Sequence, residues 1–217
     1  MVRTRIKICG VTSPRDAIFA LDCGADAIGL NFYSKSPRFV TDERAESIVR
    51  ELPPLGATVG VFVDTPDATV FATARRFGLH AVQTYSNEPP DLPFFPIAHI
   101  PAFRVKSPHE LDAIRQFVNE ARLANRPPAA VLVDSFVAGE MGGTGHLAPW
   151  ELIADFLFGV PLLLAGGLTP DNVAEAIRVV QPWGVDVASG VESAPGRKDP
   201  GKVRAFVQAV RAADAVL

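Results

Sequence analysis

The chain has 217 residues, 48% of them hydrophobic and 21% charged, and a formal net charge of −3. This is the composition of a folded globular chain, with no electrostatic reason to expect nucleic acid or an anionic membrane as a partner. Length alone allows one large domain or two small ones.

Residues 1–5 run straight into an apolar segment without a signal-peptide core, and two cysteines, Cys9 and Cys23, do not make a disulfide framework. A reducing cytoplasm is therefore the expected compartment. No apolar run reaches membrane-spanning length, since residues 156–164 are interrupted by Gly159 and Pro161. The four histidines, His80, His99, His109 and His146, are scattered, and no CxxC, HExxH or paired-Asp loop appears. No metal site is expected. No sequence feature fixes the oligomeric state, and a monomer is the default.

In chain order, Arg5-Ile6-Lys7-Ile8-Cys9 reads as a short strand with Lys7 and Cys9 on one side and Ile6 and Ile8 on the other. Gly10 permits a sharp turn, and Ser13-Pro14-Arg15-Asp16 opens a helix with Ser13 as cap, Pro14 at the first position and Asp16 completing a capping box. A thiol at the end of a first strand is placed for chemistry in an α/β fold; a buried core cysteine is the competing reading. Strands are expected at about 5–9, 26–32, 57–63, 80–83, 95–100, 130–134, 161–165 and 184–188, mostly apolar runs suited to a parallel sheet covered on both faces. Helices are expected at about 14–23, 42–51, 66–77, 107–123, 149–156, 170–179 and 200–213, several opened by Ser/Thr/Asp-Pro pairs. The proline-rich stretch 87–101 leaves little room for a helix after the fourth strand. Cys23, Trp150 and Trp183 read as packing residues, the two tryptophans on outer helices.

Eight strands alternating with helices imply a single (β/α)8 TIM barrel over residues 1–217. An open doubly wound sheet would favour a glycine-rich fingerprint after the first strand, and Cys9-Gly10-Val11-Thr12-Ser13 is not GxGxxG. In a barrel the strand ends converge on one mouth, which gathers Cys9, Asn31, Gln83, Asp134, Gly166-Gly167 and Ser189-Gly190. Asp134 closes the apolar run Ala130-Val131-Leu132-Val133, and residues 139–145 form a glycine-rich segment suited to a closing flap, an ordinary turn being the alternative. Glycines after both the seventh and eighth strands suit a phosphate site of backbone N–H groups. Lys7 and Asp186 both face inward on neighbouring strands and are expected to form a structural ion pair.

Together these segments resemble the phosphoribosylanthranilate isomerase family of tryptophan biosynthesis. The resemblance spans the chain and rests on Lys7-Ile8-Cys9-Gly10-Val11-Thr12, on residues 24–33 with Ser36-Pro37-Arg38, and on Gly60-Val61-Phe62-Val63. It continues through Leu132-Val133-Asp134-Ser135 with Gly142-Gly143-Thr144-Gly145, residues 165–173, Val185-Asp186-Val187 and Pro195-Gly196-Arg197-Lys198-Asp199. It implies the same barrel and an Amadori rearrangement of N-(5-phosphoribosyl)anthranilate. Cys9 would be the general base, Asp134 the general acid, and Arg38 the holder of the anthranilate carboxylate. Gly143, Gly166, Gly167, Ser189 and Gly190 would hold the phosphate, with Gln83 among the substrate-binding residues. One acid and one base suffice for this reaction, so no metal or redox cofactor is needed and a small-molecule substrate is the only ligand implied.

The chain departs from the family at three places. Gln-Leu-His-Gly is replaced by Gln83-Thr84-Tyr85-Ser86, and Phe-Asp-Trp by Ala148-Pro149-Trp150. Ser-Ser-Gly-Val-Glu becomes Ala188-Ser189-Gly190-Val191-Glu192. Alternatives are a related phosphosugar isomerase of changed aglycone specificity, which the altered fourth-strand loop would permit, and a non-catalytic phosphosugar-binding paralogue. The latter would need the glycines but neither an acid nor a base.

Overall fold

The computed structural model describes residues 3–85, 89, 97–135 and 150–216. Eight parallel strands close on themselves in chain order: β1 (Arg5–Ile8), β2 (Ala27–Asn31), β3 (Ala57–Val63), β4 (Ala81–Tyr85), β5 (Ala98–Arg104), β6 (Val131–Asp134), β7 (Leu162–Ala165) and β8 (Gly184–Val187). The helices between them are α1 (Pro14–Asp22), α2 (Asp42–Glu51), α3 (Asp67–Arg76), α4 (Pro108–Leu123), α5 (Trp150–Ala154), α6 (Val173–Val180) and α7 (Pro200–Asp214). This is the (β/α)8 barrel implied by the alternation of apolar runs and capped helices. No described helix is long and apolar enough to cross a membrane.

Side-chain alternation splits the apolar residues into two shells. Outward residues such as Ile6, Ile8, Ile28, Leu30 and Leu164 pack under Ala17, Ile48, Val70, Ile114, Ile177 and Phe206 of the helices. Inward residues Val59, Ala81, Ile100, Ala102, Ala130, Leu132, Leu163 and Ala165 fill the barrel itself. Small side chains dominate the inner shell because eight strands leave an interior only as wide as its side chains. Each fully buried Ile, Leu or Phe contributes roughly 1.5–3 kcal/mol of transfer free energy.

The helix starts follow their local chemistry. Ser13 Oγ accepts from the Asp16 N–H at 3.2 Å, and Asp199 Oδ1 from the Lys202 N–H at 2.9 Å. Glu110 accepts from the Ser107 N–H at 2.8 Å in a capping box. The box expected at α1 is not reciprocal: the Asp16 carboxylate accepts from the backbone N–H of Lys198 at 3.2 Å and ties α1 to the segment before α7.

Several boundaries differ from the sequence reading. β4 runs two residues further, to Tyr85, and β5 begins at Ala98 and continues through Pro101 to Arg104. The missing proline N–H falls before the β5–β6 ladder, which starts at Ala102 opposite Leu132. α5 ends at Ala154, and α6 starts at Val173, after an initial turn in which the Thr169 carbonyl accepts from Asn172 and Val173. Beyond β8, where only a loop was foreseen, come a 3₁₀ turn (Ser189–Val191) and a small antiparallel hairpin, β9 (Glu192–Ala194) with β10 (Arg197–Lys198). Trp150 is buried and Cys23 packs against the core, but Trp183 is 42% exposed, lying under the Arg5 guanidinium instead of packing on a helix.

Above the apolar plug sits a polar layer. Lys7 and Asp186 are register partners across the β1–β8 seam that closes the barrel. Lys7 Nζ donates to Asp186 Oδ1 at 2.8 Å and to Gln83 Oε1 at 3.0 Å. Lys7 is 3% exposed and Asp186 8%, so neither charge has water to fall back on. Gly29 on β2 gives the layer room: a Cβ there would stand 2.9 Å from Cys9 Sγ and 3.2 Å from Lys7 Nζ.

Breaking such a pair from one side strands the other charge in a dry interior, at a cost of about 3–5 kcal/mol, whereas replacing both by apolar residues of similar size is often neutral. Asp186→Asn should therefore lower the urea midpoint strongly, and the double variant Lys7→Met, Asp186→Leu should recover most of the loss. Equal loss in the single and double variants would show that packing, and not charge pairing, holds the layer.

Candidate active site

Cys9 is the residue after β1, fixed by its N–H donating to the Val187 carbonyl of β8 at 2.8 Å. Gly10 then turns the chain with φ +70°, a left-handed backbone that glycine adopts without strain. A side chain at Gly10 would also strike the Arg38 side chain, which crosses directly over it. Burial pushes the Cys9 thiol upward; Lys7, and more weakly Lys198, pull the other way, and the thiol stays above its ordinary value. Burial works against the Lys7 ammonium, but Asp186 and then Cys9 outweigh it and hold the lysine charged.

Asp134 is the last residue of β6, half-buried, opposite Arg104 of β5 and Ala165 of β7. Parallel strands all point one way, so the ends of β1 and β6 bring Cys9 and Asp134 to the same mouth of the barrel. Gln83 lies lower. It is buried, with Oε1 accepting from Lys7, and the residue at the rim of β4 is Tyr85.

Arg38 lies between β2 and α2 and makes a two-bond fork to Glu192, Nε to Oε1 at 2.8 Å and Nη2 to Oε2 at 2.6 Å. Glu192 also accepts from Lys198 Nζ at 2.9 Å, and that ammonium donates in addition to the Ala188 carbonyl at 3.1 Å. Burial alone would raise the Glu192 carboxyl; Arg38 and Lys198 override it and hold it below the usual carboxylate range. Burial lowers Lys198, with Glu192 opposing.

From the sequence Glu192 and Lys198 appear only inside motifs and Tyr85 only within the altered fourth-strand loop, and none is given a role. Glu192 and Lys198 sit on the hairpin after β8, where strand alternation gives no direction. Ending the fourth strand at Gln83 hides the place of Tyr85 at the rim.

The glycine sites after β7 and β8 form one surface. Gly166 and Gly167 have φ +96° and +63°, and a Cβ on Gly190 would collide with the Leu168 carbonyl oxygen, so the two loops touch there. Asn172 clamps the first loop, accepting from the Thr169 N–H at 2.8 Å and donating to the Gly167 carbonyl at 3.0 Å. Gly167 and Ser189 are exposed, while Gly166 and Gly190 are half-buried. Gly143, the flap segment 139–145, and Ala148-Pro149 lie outside the described residues.

A cleft of about 1150 Å³ opens at the ends of β2 to β5, lined by Asn31, Arg38, Tyr85, Phe103, Arg104 and His109 among others. Among the described residues no cluster of three or more His, Cys, Asp or Glu side chains could hold a metal ion. The mouth thus combines a thiol, a carboxylate, a guanidinium and a glycine-lined cradle suited to an anion.

The model of the family described as N-(5'phosphoribosyl)anthranilate (PRA) isomerase matches residues 6–209 of this chain. N-(5'-phosphoribosyl)anthranilate isomerase of Geobacter sulfurreducens is 47% identical over 207 residues, 94% of this chain and 97% of that protein. The crystal structure of phosphoribosyl anthranilate isomerase from Thermotoga maritima is similar with a TM-score of 0.84 at 36% identity, over 96% of this chain and 99% of that one. A phosphoribosyl anthranilate isomerase solved in complex with reduced 1-(o-carboxyphenylamino)-1-deoxyribulose 5-phosphate is similar with a TM-score of 0.82 at 35% identity, over the same shares of the two chains. Matched across nearly its whole length by the family model, by sequence and by fold, the chain belongs to the N-(5'-phosphoribosyl)anthranilate isomerase family.

Proposed function

We propose that this chain converts N-(5'-phosphoribosyl)anthranilate to 1-(2-carboxyphenylamino)-1-deoxyribulose 5-phosphate in tryptophan biosynthesis, with Asp134 as general acid and Cys9 as general base. One observation carries the assignment of roles: an acid and a base close β6 and β1 at one mouth, and the glycine cradle of β7 and β8 shares it. Asp134 protonates the ribose ring oxygen and the ring opens to an iminium. Cys9, as thiolate, removes the C2 proton, and the resulting enolamine tautomerises to the ketone. The backbone N–H groups of Gly166, Gly167, Ser189 and Gly190 hold the phosphate together with Gly143, and Arg38 holds the anthranilate carboxylate. Lys7 and Asp186 are structural, and Gln83 serves the site through Lys7. The enzyme works in the cytoplasm as a single barrel domain.

The direct test mixes purified protein with N-(5'-phosphoribosyl)anthranilate and follows the loss of anthranilate-conjugate fluorescence. Removing a positioned acid or base typically costs about 10²–10⁴-fold in rate. Cys9→Ser and Asp134→Asn should each lose turnover on this scale while still binding the reduced product analogue. Retention of most turnover by Cys9→Ser would remove the base assignment. Wild-type protein that bound the analogue without turnover would point to a binding paralogue.

The thiol must be ionised to act and is held above its ordinary value, so kcat/KM should still be rising with pH between about 7 and 9. A profile flat over that interval would mean that the base titrates elsewhere.

Arg38→Lys keeps the charge but loses the fork to Glu192. It should raise KM about tenfold or more and lower kcat less. The reverse split would assign Arg38 to the transition state.

A further inference from the structure

Tyr85 closes β4 at the rim of the cleft, with its ring packed on the inner shell of the barrel. Its hydroxyl ends a chain of hydrogen bonds whose direction is set from the bottom. Asp186 accepts from Lys7 Nζ at 2.8 Å, and the same ammonium donates to Gln83 Oε1 at 3.0 Å. An ammonium can only donate, so the Gln83 amide cannot flip: its oxygen faces Lys7 and its Nε2 faces Tyr85. Gln83 Nε2 lies 3.5 Å from the Tyr85 oxygen, at the long end of bonding range, and donates to it. The phenol oxygen is therefore an acceptor below, and its own hydrogen is directed away from Gln83. Among the described residues that hydrogen has no acceptor, and Tyr85 lines the cleft above it.

We propose that Tyr85 is a substrate-contacting residue whose phenol donates a hydrogen bond to an uncharged oxygen of the bound sugar, the hydroxyl on C2, the carbon that loses its proton. This rests on the isomerase reading above. The surroundings select a neutral acceptor. Asp186, ionised in its pair with Lys7, acts on the phenol with negative charge, as do Asp134 and Cys9 whenever they are ionised, so a phosphate or carboxylate there would meet repulsion. Burial, then those three charges, push the phenol's ionisation upward against Lys7, which keeps it a donor across the working range. The C2 oxygen becomes the product ketone oxygen, so a donor aimed at it serves both binding and the enolamine step.

The test compares two ligands and three proteins. The ligands are the reduced product analogue, which carries a C2 hydroxyl, and the same compound lacking that hydroxyl. Wild type should bind the first about 5–10-fold tighter, the scale of one buried hydrogen bond. Tyr85→Phe, which keeps the ring and its packing, should bind the two equally, lose about 5–10-fold in kcat and keep its thermal midpoint. Tyr85→His, which restores a donor on a shorter flat ring, should recover part of the discrimination. A Tyr85→Phe protein that still distinguishes the two ligands as wild type does, or that turns over at the wild-type rate, overturns the proposal. Inactive wild type would count against the isomerase reading instead, and the ligand comparison would still decide the Tyr85 contact.

Discussion

The buried contact between Lys7 and Asp186 is the constraint around which the site is arranged. Two ionised groups in a dry interior are costly, and they persist only where each is well met. Here the pair joins the first and last strands at the seam where the barrel closes, so fold closure and charge neutralisation are one event. The lysine has three donors. One goes to Asp186, one fixes the Gln83 amide, and its charge reaches Cys9. Deleting the pair would therefore disturb Cys9 and the rim tyrosine together.

That arrangement puts the thiol under opposing pulls. Burial disfavours the thiolate, and the Lys7 ammonium, partly cancelled by Asp186, favours it. A lone buried lysine beside a cysteine would stabilise a permanent thiolate, open to oxidation. With Asp186 taking part of the lysine charge, the thiol stays protonated more of the time. In the proposed reaction the remaining push toward ionisation would come from the iminium formed on ring opening, a cation generated near the thiol. On that reading the base would be strongest when the proton to be removed has become acidic.

The barrel was legible because its local signals agree. Apolar runs of strand length, Ser/Thr/Asp-Pro helix starts and glycines after β7 and β8 all repeat in one order, and alternation alone put Lys7 and Asp186 on the inner face. What was not legible depended on contacts remote in sequence. Pro101 looks like the end of a strand, yet the chain passes through it because the β6 ladder starts one residue later. Tyr85 was visible only as part of an altered loop, because ending the fourth strand at Gln83 missed the two residues in register with Phe62 and Val63 that carry the chain to the rim. Glu192 and Lys198 face the site only because the hairpin after β8 folds back over Arg38, a path no periodicity announces.

The Arg38–Glu192 fork bears on how a carboxylate could be recognised here. A guanidinium has five N–H donors, and Glu192 takes Nε–H and one of the Nη2 hydrogens. Among the described residues none takes the outer edge, Nη1 and the second Nη2 hydrogen, which could then meet a ligand. Glu192 is itself held by Lys198, so the guanidinium plane is set before substrate arrives and little side-chain entropy remains to be lost on binding. The glycine at position 10 completes this arrangement: with no side chain in the way, Arg38 can lie flat over the turn that follows Cys9. On the proposed roles, carboxylate recognition and proton abstraction would be tied to one stretch of backbone, the Cys9-Gly10 turn over which Arg38 lies.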